Sequence, residues 1–122
     1  MTRPVQPGHA PNERRRFERV DIGHSSEVAV LEEQGKRVGV LRQIGRGGFM
    51  MEPHQAYSKD NKIHKLTIHE PGEKIRVVVH ARVAYANSSL VGFEFVDLDA
   101  NAAVDVGIII GKYYEHEKSP NP

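Results

Sequence analysis

The sequence predicts a mainly β fold, a small antiparallel barrel followed by one C-terminal helix. Apolar and polar residues alternate along several short segments between residues 28 and 96, as they do in strands that bury one face. Gly, Pro, Asn and Ser residues separate these segments and mark turns. After residue 98 the apolar period becomes that of a helix. Many short strands at this spacing are typical of a small antiparallel barrel.

Six segments carry the strand pattern, namely residues 28–30, 37–44, 49–52, 65–69, 75–85 and 91–96. Alternation in the second segment places Val38, Val40, Arg42 and Ile44 on one face. In the fourth segment Leu66 and Ile68 are predicted to point inward. The turns are predicted at Gly35-Lys36, at Pro71-Gly72 and at Asn87-Ser88-Ser89.

The last element is predicted to be a helix that lies across the barrel. Asp99 or Asn101 can cap it, because a short polar side chain accepts hydrogen bonds from free amides of the first turn. The predicted apolar stripe consists of Val104, Ile108, Ile109 and Tyr113. Gly107 and Gly111 lower the helix propensity by about 1 kcal/mol each, and could instead let another backbone approach closely. A strand over residues 106–110 is the competing interpretation.

Composition predicts one ordinary domain over residues 13–115, in a chain of 122 residues. Residues 1–12 and 116–122 are expected to be flexible tails, because they contain several prolines and few apolar side chains. The absence of cysteine excludes disulfides, thiolate zinc sites and cysteine nucleophiles. No apolar run approaches the ~20 residues of a membrane helix, and the first residues lack the apolar core of a signal peptide. We therefore expect a cytoplasmic protein without membrane insertion.

A basic segment begins the predicted domain, where Arg14, Arg15, Arg16 and Arg19 lie within six residues. The planar guanidinium group donates paired hydrogen bonds to phosphate or to the O6/N7 edge of guanine, and it stacks on purines. The net charge of the chain is only +1, so this segment suits a compact anion better than DNA or RNA. A solvated basic segment without a ligand is the alternative.

A glycine-rich loop, Gln43-Ile44-Gly45-Arg46-Gly47-Gly48, joins two predicted strands. Glycines allow the backbone to approach a ligand closely, or to adopt positive φ in a tight hairpin turn. No Gly-Lys-Ser/Thr follows the loop, so it is not a Walker phosphate loop. Taken alone, these residues favour an ordinary hairpin.

Together these segments resemble the PilZ domain family. The family's first motif, Arg-x-x-x-Arg, matches Arg15 and Arg19, and its second, Asp/Asn-x-Ser-x-x-Gly, aligns with residues 43–48. A later signature, Gly-x-x-Phe-x-Asp-Leu, is closely matched by residues 92–98. The resemblance covers roughly residues 13–114. It implies a six-stranded antiparallel PilZ-type β-barrel with a C-terminal α-helix.

The resemblance also implies cyclic di-GMP as the ligand, with no other cofactor. Arg15 and Arg19 would bind guanine faces and phosphates, Gly48 would permit close approach, and Gln43 and Gly45 would occupy the remaining contact positions. Arg14, Arg16 and Arg46 supply further cations beside the predicted site. The second motif is degenerate, because glutamine stands at position 43 for Asp or Asn, and Gly45 lacks the hydroxyl of the usual serine.

Two functional hypotheses follow from the resemblance. In the first, the domain is a bacterial second-messenger receptor in which nucleotide binding orders the N-terminal segment and changes the surface that a protein effector contacts. In the second, the degenerate domain no longer binds nucleotide and acts as a protein–protein adaptor. An enzyme is not expected, because none of the serines lies in a Gly-x-Ser-x-Gly context. The seven histidines are not arranged at a recognised zinc spacing, so no metal site is predicted.

Overall fold

The computed structural model describes residues 19–23 and 27–118, with side chains up to Tyr114. The strands are β1 (Val20–Asp21), β2 (Ala29–Leu31), β3 (Arg37–Ile44), β4 (Gly48–Pro53), β5 (His64–Glu70), β6 (Ile75–Ala86) and β7 (Val91–Phe95). One helix, α1 (Ala100–Lys118), follows them. The mainly β architecture and the C-terminal helix predicted from the sequence are therefore confirmed.

The strands close into a barrel in which every described pairing is antiparallel. The ring runs β3-β2-β5-β6-β7-β4 and returns to β3 through the β3–β4 pairing. β1 pairs with one end of β3 and β2 pairs with the other end, so these two short strands share a single position in the ring. The result is a six-stranded barrel, which leaves no long open sheet edge.

Local turn chemistry explains where the chain reverses. Gly35 lies in the turn between β2 and β3 with φ of 93°, in the left-handed region that glycine adopts without a side-chain clash. The amide of Lys74 donates to the Pro71 carbonyl oxygen at 3.2 Å in the turn before β6. The Asn87 Oδ1 atom accepts from the amides of Ser89 and Leu90 before β7. All three turns lie where the sequence predicts them.

Alternating residues of each strand point into one continuous core. The predicted inward residues of β5, Leu66 and Ile68, are indeed buried. The other fully buried side chains of the barrel include Val28, Val30, Val38, Leu41, Ile44, Met51, Val79 and Val83. Burial of this apolar surface, at about 25 cal/mol per Å², is the main favourable term in folding.

The predicted face of β3 is wrong, because a β-bulge interrupts the alternation. The pairing with β4 shifts register between Leu41 and Gln43. Leu41 and Ile44 both point into the core, three positions apart rather than two or four. Val40 and Arg42, which simple alternation places beside Ile44, are only half-buried, and Arg42 instead forms an ion pair with Glu52 at 2.8 Å. An extra residue in one strand reverses the faces that follow it.

A second bulge lies in β6, where the pairing with β7 shifts register between Val83 and Tyr85. Val77, Val79, Ala81 and Val83 alternate into the core. Continued alternation would bury the next residue of this series, Tyr85. Tyr85 is instead 44% exposed, because the bulge turns it to the outer surface of the barrel.

The helix α1 covers the barrel with a different stripe from the predicted one. Its buried residues are Ala102, Val106, Ile109, Ile110 and Tyr113, which follow helical spacing and join the barrel core. The prediction is confirmed for Ile109 and Tyr113. It is wrong for Val104 and Ile108, which are 62% and 46% exposed because they lie on the side of the helix away from the barrel.

The ends of α1 follow from its sequence. Asp99 is the cap, since its Oδ1 atom accepts a hydrogen bond from the Ala102 amide at 2.8 Å. The helix continues over residues 106–110, which rules out the strand interpretation. Apart from the helix's own adjacent backbone, no described atom lies within 4 Å of a Cβ built at Gly107 or Gly111. It extends to Lys118, so the domain boundary predicted at residue 115 falls inside the helix.

A buried carboxylate joins the helix to the barrel. Glu70, the last residue of β5, is only 1% exposed. Its Oε2 atom accepts hydrogen bonds from Lys112 Nζ and the Tyr113 hydroxyl, each at 2.8 Å. Its Oε1 atom accepts from the Glu73 amide at 2.6 Å, in the turn before β6. One side chain therefore ties together β5, the following turn and α1.

These contacts keep the Glu70 carboxylate ionised although it is buried. Burial by itself raises the pKa of Glu70, but the hydrogen bonds from Lys112, the Glu73 amide and Tyr113 outweigh burial and hold the pKa below its ordinary value of 4.5. The hydrogen bond to Glu70 correspondingly raises the pKa of Lys112 above 10.5. Both shifts mean that the charged pair stabilises the folded state at neutral pH.

Replacing Glu70 with glutamine should destabilise the protein by about 2–4 kcal/mol, because Lys112 and Tyr113 lose a charged acceptor in a buried setting. Urea unfolding followed by circular dichroism would measure this change at pH 7. Glu52→Gln is the matched control, since it removes the exposed ion pair with Arg42 and should cost no more than about 1 kcal/mol.

The loss of stability caused by Glu70→Gln should also depend on pH, and the lowered pKa of Glu70 sets the direction of that dependence. A carboxyl group whose pKa is lowered by folding contributes stability above its unfolded value of 4.5, and this contribution disappears as pH falls through the lower folded pKa. The stability difference between wild type and Glu70→Gln should therefore shrink below pH 4.5. Equal effects of the Glu70 and Glu52 variants at pH 7 would contradict the role of this buried carboxylate.

Candidate functional site

A groove of about 420 Å³ opens on the barrel surface where β3, β4, β7 and β6 lie side by side. The end of β3 and the loop that follows it form one wall, and the end of β6 forms the opposite wall. Buried core residues, including Phe49 and Phe93, form the floor, with their ring centroids 5.0 Å apart. The site therefore rests on packed strands rather than on long loops.

Strand register places five side-chain positions in one row across this surface. Asp21 of β1 pairs with Gln43 of β3, and Gln43 pairs with Met50 of β4. Met50 pairs with Gly92 of β7, and Gly92 pairs with Tyr85 of β6. Gln43 faces outward because it directly precedes the buried Ile44, and the bulge in β6 turns Tyr85 outward where alternation would bury it. Gln43 and Tyr85 therefore belong to opposite walls of the groove.

The Gln43 amide has one satisfied end and one unsatisfied end. Its Nε2 atom donates a hydrogen bond to Asp21 Oδ1 at 2.8 Å. Its Oε1 atom is buried and has no hydrogen-bond partner among the described residues. Buried polar atoms are usually paired, so this acceptor is a position where a further donor is expected. Gln43 thus brings an amide with an unsatisfied oxygen to the wall of the groove.

Tyr85 supplies an aromatic surface on the opposite wall. Its hydroxyl donates to Met50 Sδ at 3.1 Å, across the intervening strand β7. β6 and β4 lie two strand spacings apart, about 9–10 Å, so the Tyr85 side chain must lie across the outer surface of β7 to reach Met50. A side chain at Gly92 would lie 2.8 Å from Tyr85 Cε2, which shows that the ring occupies the space above this glycine. Gly92 and Met50 together position a half-exposed aromatic ring in the groove.

The glycine loop contributes backbone to the near wall. Gly45 is buried, and its amide donates to the Gly48 carbonyl oxygen at 2.9 Å, which closes the hairpin between β3 and β4. A side chain at Gly48 would collide with the carbonyl oxygen of Phe93 on β7. Glycine at position 48 is therefore required by strand packing. Gly47 also lines the groove, and its carbonyl oxygen accepts from the Phe95 amide at 2.9 Å.

The structure brings together four of the residues predicted from the sequence. Arg19, Gln43, Gly45 and Gly48 all line the groove, although 24 residues separate Arg19 from Gln43 along the chain. Arg46 is exposed in the same loop but is not one of the lining residues. The other predicted arginines, Arg14, Arg15 and Arg16, lie outside the described residues.

Sequence reasoning missed Met50, Tyr85, Gly92 and Glu94. Gly92 lies in the quoted signature over residues 92–98, but its role in accommodating the Tyr85 ring could not be inferred from one strand. The available signal was an aromatic residue, Tyr85, just before the turn predicted at residues 87–89, and a glycine, Gly92, just after it. Interpreting that signal requires the strand register, since the bulge in β6 decides which face Tyr85 occupies.

The groove combines one cation, one anion, an amide acceptor and an aromatic ring. Among its described lining residues, Arg19 and Glu94 are the charged side chains, and both are exposed. Arginine can bind phosphate or stack on a base, while a carboxylate accepts hydrogen bonds from base N–H groups. Those lining residues include no serine, cysteine or histidine that could act as a nucleophile or a base.

Two further features bear on the class of site. Within residues 19–23 and 27–118, no three histidine and acidic side chains are grouped so that they could hold a metal ion. No helix of this same region is both long enough and apolar enough to cross a membrane.

Solved structures resemble the fold. An uncharacterized protein from Legionella matches with a TM-score of 0.55 at 12% identity, over 83% of this chain and 98% of its own. The PilZ domain of CeSA from a cellulose-synthesizing bacterium matches with a TM-score of 0.55 at 18% identity, over 77% of this chain and 95% of its own. No curated protein sequence matches significantly.

The family comparison covers most of the chain. The family model described as PilZ domain matches residues 13–108, a range that contains the barrel, the described part of the groove and the first half of α1. PilZ domains are binding domains rather than enzymes, and the family is known for receptors of cyclic di-GMP. With its barrel, its C-terminal helix and this match, the chain belongs to the PilZ domain family.

Proposed function

We propose that this domain is a cyclic di-GMP receptor and that the nucleotide binds in the groove between Arg19 and Tyr85. The observation that carries the proposal is the convergence of Arg19 with Gln43, Gly45 and Gly48, since all four line one groove. These residues come from the two segments that resemble the ligand motifs of the family. A common groove is what simultaneous contact with one compact ligand requires.

Each wall offers chemistry that a guanine nucleotide can use. Arg19 donates to phosphate oxygens or to the O6/N7 edge of guanine. The unpaired Oε1 atom of Gln43 accepts from the N–H donors of a guanine edge. The Tyr85 ring gives a second base a surface to stack on, since the base faces of nucleotides pack on aromatic side chains. The proposal thus assigns a separate contact to each wall.

The degenerate second motif weakens the site without removing it. Loss of a serine hydroxyl at Gly45 forfeits one neutral hydrogen bond, worth about 0.5–1.5 kcal/mol. One stacked base contributes about 1–3 kcal/mol in single-stranded nucleic acid complexes, so contact with Tyr85 is large enough to offset that loss. We therefore expect affinity in the micromolar range or tighter.

The N-terminal arginines complete the proposed site. Arg15 belongs to the same motif as Arg19, which lies at the edge of the groove and begins the chain leading into β1. In the proposal, nucleotide binding orders residues 14–16 against the barrel and thereby changes the surface that a protein effector meets. Such a receptor works in the bacterial cytoplasm, where it would read a diffusible second messenger.

Isothermal titration with cyclic di-GMP should give a micromolar or lower Kd for the wild-type protein. Arg15→Ala and Arg19→Ala should each abolish measurable binding, because each removes a cation from the phosphates and bases. Arg37→Ala is the matched control, since Arg37 is an exposed arginine at the opposite end of β3, near Glu27. Absence of heat with wild type, or equal losses for Arg19 and Arg37, would refute the proposal.

Tyr85→Ala should weaken cyclic di-GMP binding about tenfold, the effect of losing ~1.4 kcal/mol of base stacking. Tyr85→Phe should retain most of the affinity, because it preserves the ring and removes only the hydroxyl contact with Met50. The same titration would measure both variants, with Tyr114→Ala on the helix as an aromatic control outside the groove. Unchanged affinity in Tyr85→Ala would exclude stacking on this wall.

A second candidate function is that of a protein–protein adaptor that no longer binds nucleotide. The exposure of Val104 and Ile108, at 62% and 46%, favours it, because the helix presents apolar side chains away from the barrel. On this hypothesis, a partner would bind independently of nucleotide and would require the face of α1 that carries Gly107 and Gly111.

Restoring the family residues distinguishes the two functions. The double substitution Gln43→Asn and Gly45→Ser should change cyclic di-GMP affinity by less than about tenfold if the natural groove already binds it, since one hydroxyl hydrogen bond is worth no more than that. A large gain from a negligible starting affinity would instead identify a degenerate site and favour the adaptor. Titration of both proteins with cyclic di-GMP, and with GTP as a control ligand, would measure the difference.

A further inference from the structure

The feature that extends the proposed site is the contact between Asp21 and Gln43. Asp21 is exposed in β1 and pairs directly with Gln43 in the strand register. Its Oδ1 atom accepts a hydrogen bond from Gln43 Nε2 at 2.8 Å. Gln43 lines the groove, whereas Asp21 does not. Asp21 can therefore influence a bound molecule through Gln43 without touching it.

A carboxylate determines which way a neighbouring amide points. The two ends of the glutamine amide have nearly the same shape but opposite hydrogen-bonding character, an NH₂ donor and a carbonyl acceptor. An ionised carboxylate only accepts hydrogen bonds, so Asp21 binds the NH₂ end and would repel the carbonyl end. The Gln43 amide keeps this orientation although its buried Oε1 atom has no partner within the described part of the chain.

This orientation has a consequence for base selection. A free glutamine can form a paired contact with adenine, accepting from N6 and donating to N7. When its NH₂ end is held by Asp21, the amide can offer a base mainly the carbonyl acceptor. Guanine presents adjacent N–H donors on its Watson–Crick edge, and Arg19 in the same groove suits the O6/N7 acceptors of guanine.

We infer that Asp21 is a positioning residue that occupies the NH₂ end of the Gln43 amide, leaves its unsatisfied acceptor end for a ligand donor, and so favours guanine over adenine. The inference rests on the proposed function, since it concerns selectivity in the same groove. It assigns a role to a residue outside both ligand motifs. It also means that glutamine at position 43, where the family usually has Asp or Asn, acts together with Asp21, its neighbour on β1.

The test is the ratio of the Kd values for cyclic di-AMP and cyclic di-GMP, measured by titration of the full chain. Asp21→Asn should lower this ratio about five- to tenfold, because asparagine can donate as well as accept and no longer fixes the amide. Asp21→Glu should preserve most of the selectivity, since it retains a carboxylate. Glu52→Gln should leave the ratio unchanged, because Glu52 pairs with Arg42 of β3 and does not line the groove.

A double-mutant cycle separates positioning from a general structural effect. In a Gln43→Ala background, Asp21→Asn should no longer alter the ratio, because the residue through which it acts is absent. The inference is overturned if Asp21→Asn leaves the wild-type ratio unchanged. It is also overturned if Asp21→Asn has the same effect on the ratio in the wild-type and Gln43→Ala backgrounds. Wild-type protein that binds neither nucleotide overturns the proposed function, and the assigned selectivity with it.

Discussion

The groove depends on two β-bulges that reverse the alternation of their strands. The bulge in β3 allows Leu41 and Ile44 to enter the core while Gln43 turns outward, and the bulge in β6 does the same for Val83 and Tyr85. A regular β3 could bury only one of Leu41 and Ile44, and a regular β6 would direct Tyr85 toward the core. A phenol there would then need a buried hydrogen-bond partner, and the groove would lose a wall. The irregularities are thus the physical basis of the site.

The closed barrel accommodates the two bulges because the strands around them remain paired. Its ring is closed, so strand pairing is maintained on both sides of each bulge. At the end of β5, Glu70 joins this strand to the turn before β6 and, through Lys112 and Tyr113, to α1. This charged contact lies under the helix, whereas Arg19 and Glu94 lie in the open groove. The chain therefore uses one buried charge network for stability and leaves other charges available for recognition.

In the proposed receptor, neighbouring residues accommodate the substitutions in the second ligand motif. Gln43 stands where the family has Asp or Asn, but a carboxylate is present next to it on β1, as Asp21. Gly45 provides no hydroxyl, but Tyr85 adds an aromatic wall that lies outside both ligand motifs. Gly48 retains its motif identity for a reason of packing, because β7 leaves no room for a side chain there. Motif residues must therefore be judged together with their cross-strand partners.

The sequence by itself determined the mainly β class, the turns, the Asp99 cap and the four predicted residues that line the groove. These features depend on local periodicity, on short-range backbone chemistry, or on motif resemblance over contiguous residues. Only the tertiary structure decided which β3 residues share the inner face with Ile44, the face of Tyr85, the exposure of Val104 and Ile108, and the contact of Asp21 with Gln43. A bulge shifts the register by one residue without a clear mark in composition, and which helix face is buried depends on how the helix meets the barrel. The contact that orients Gln43 joins residues 22 positions apart, so it exists only once β1 has paired with β3.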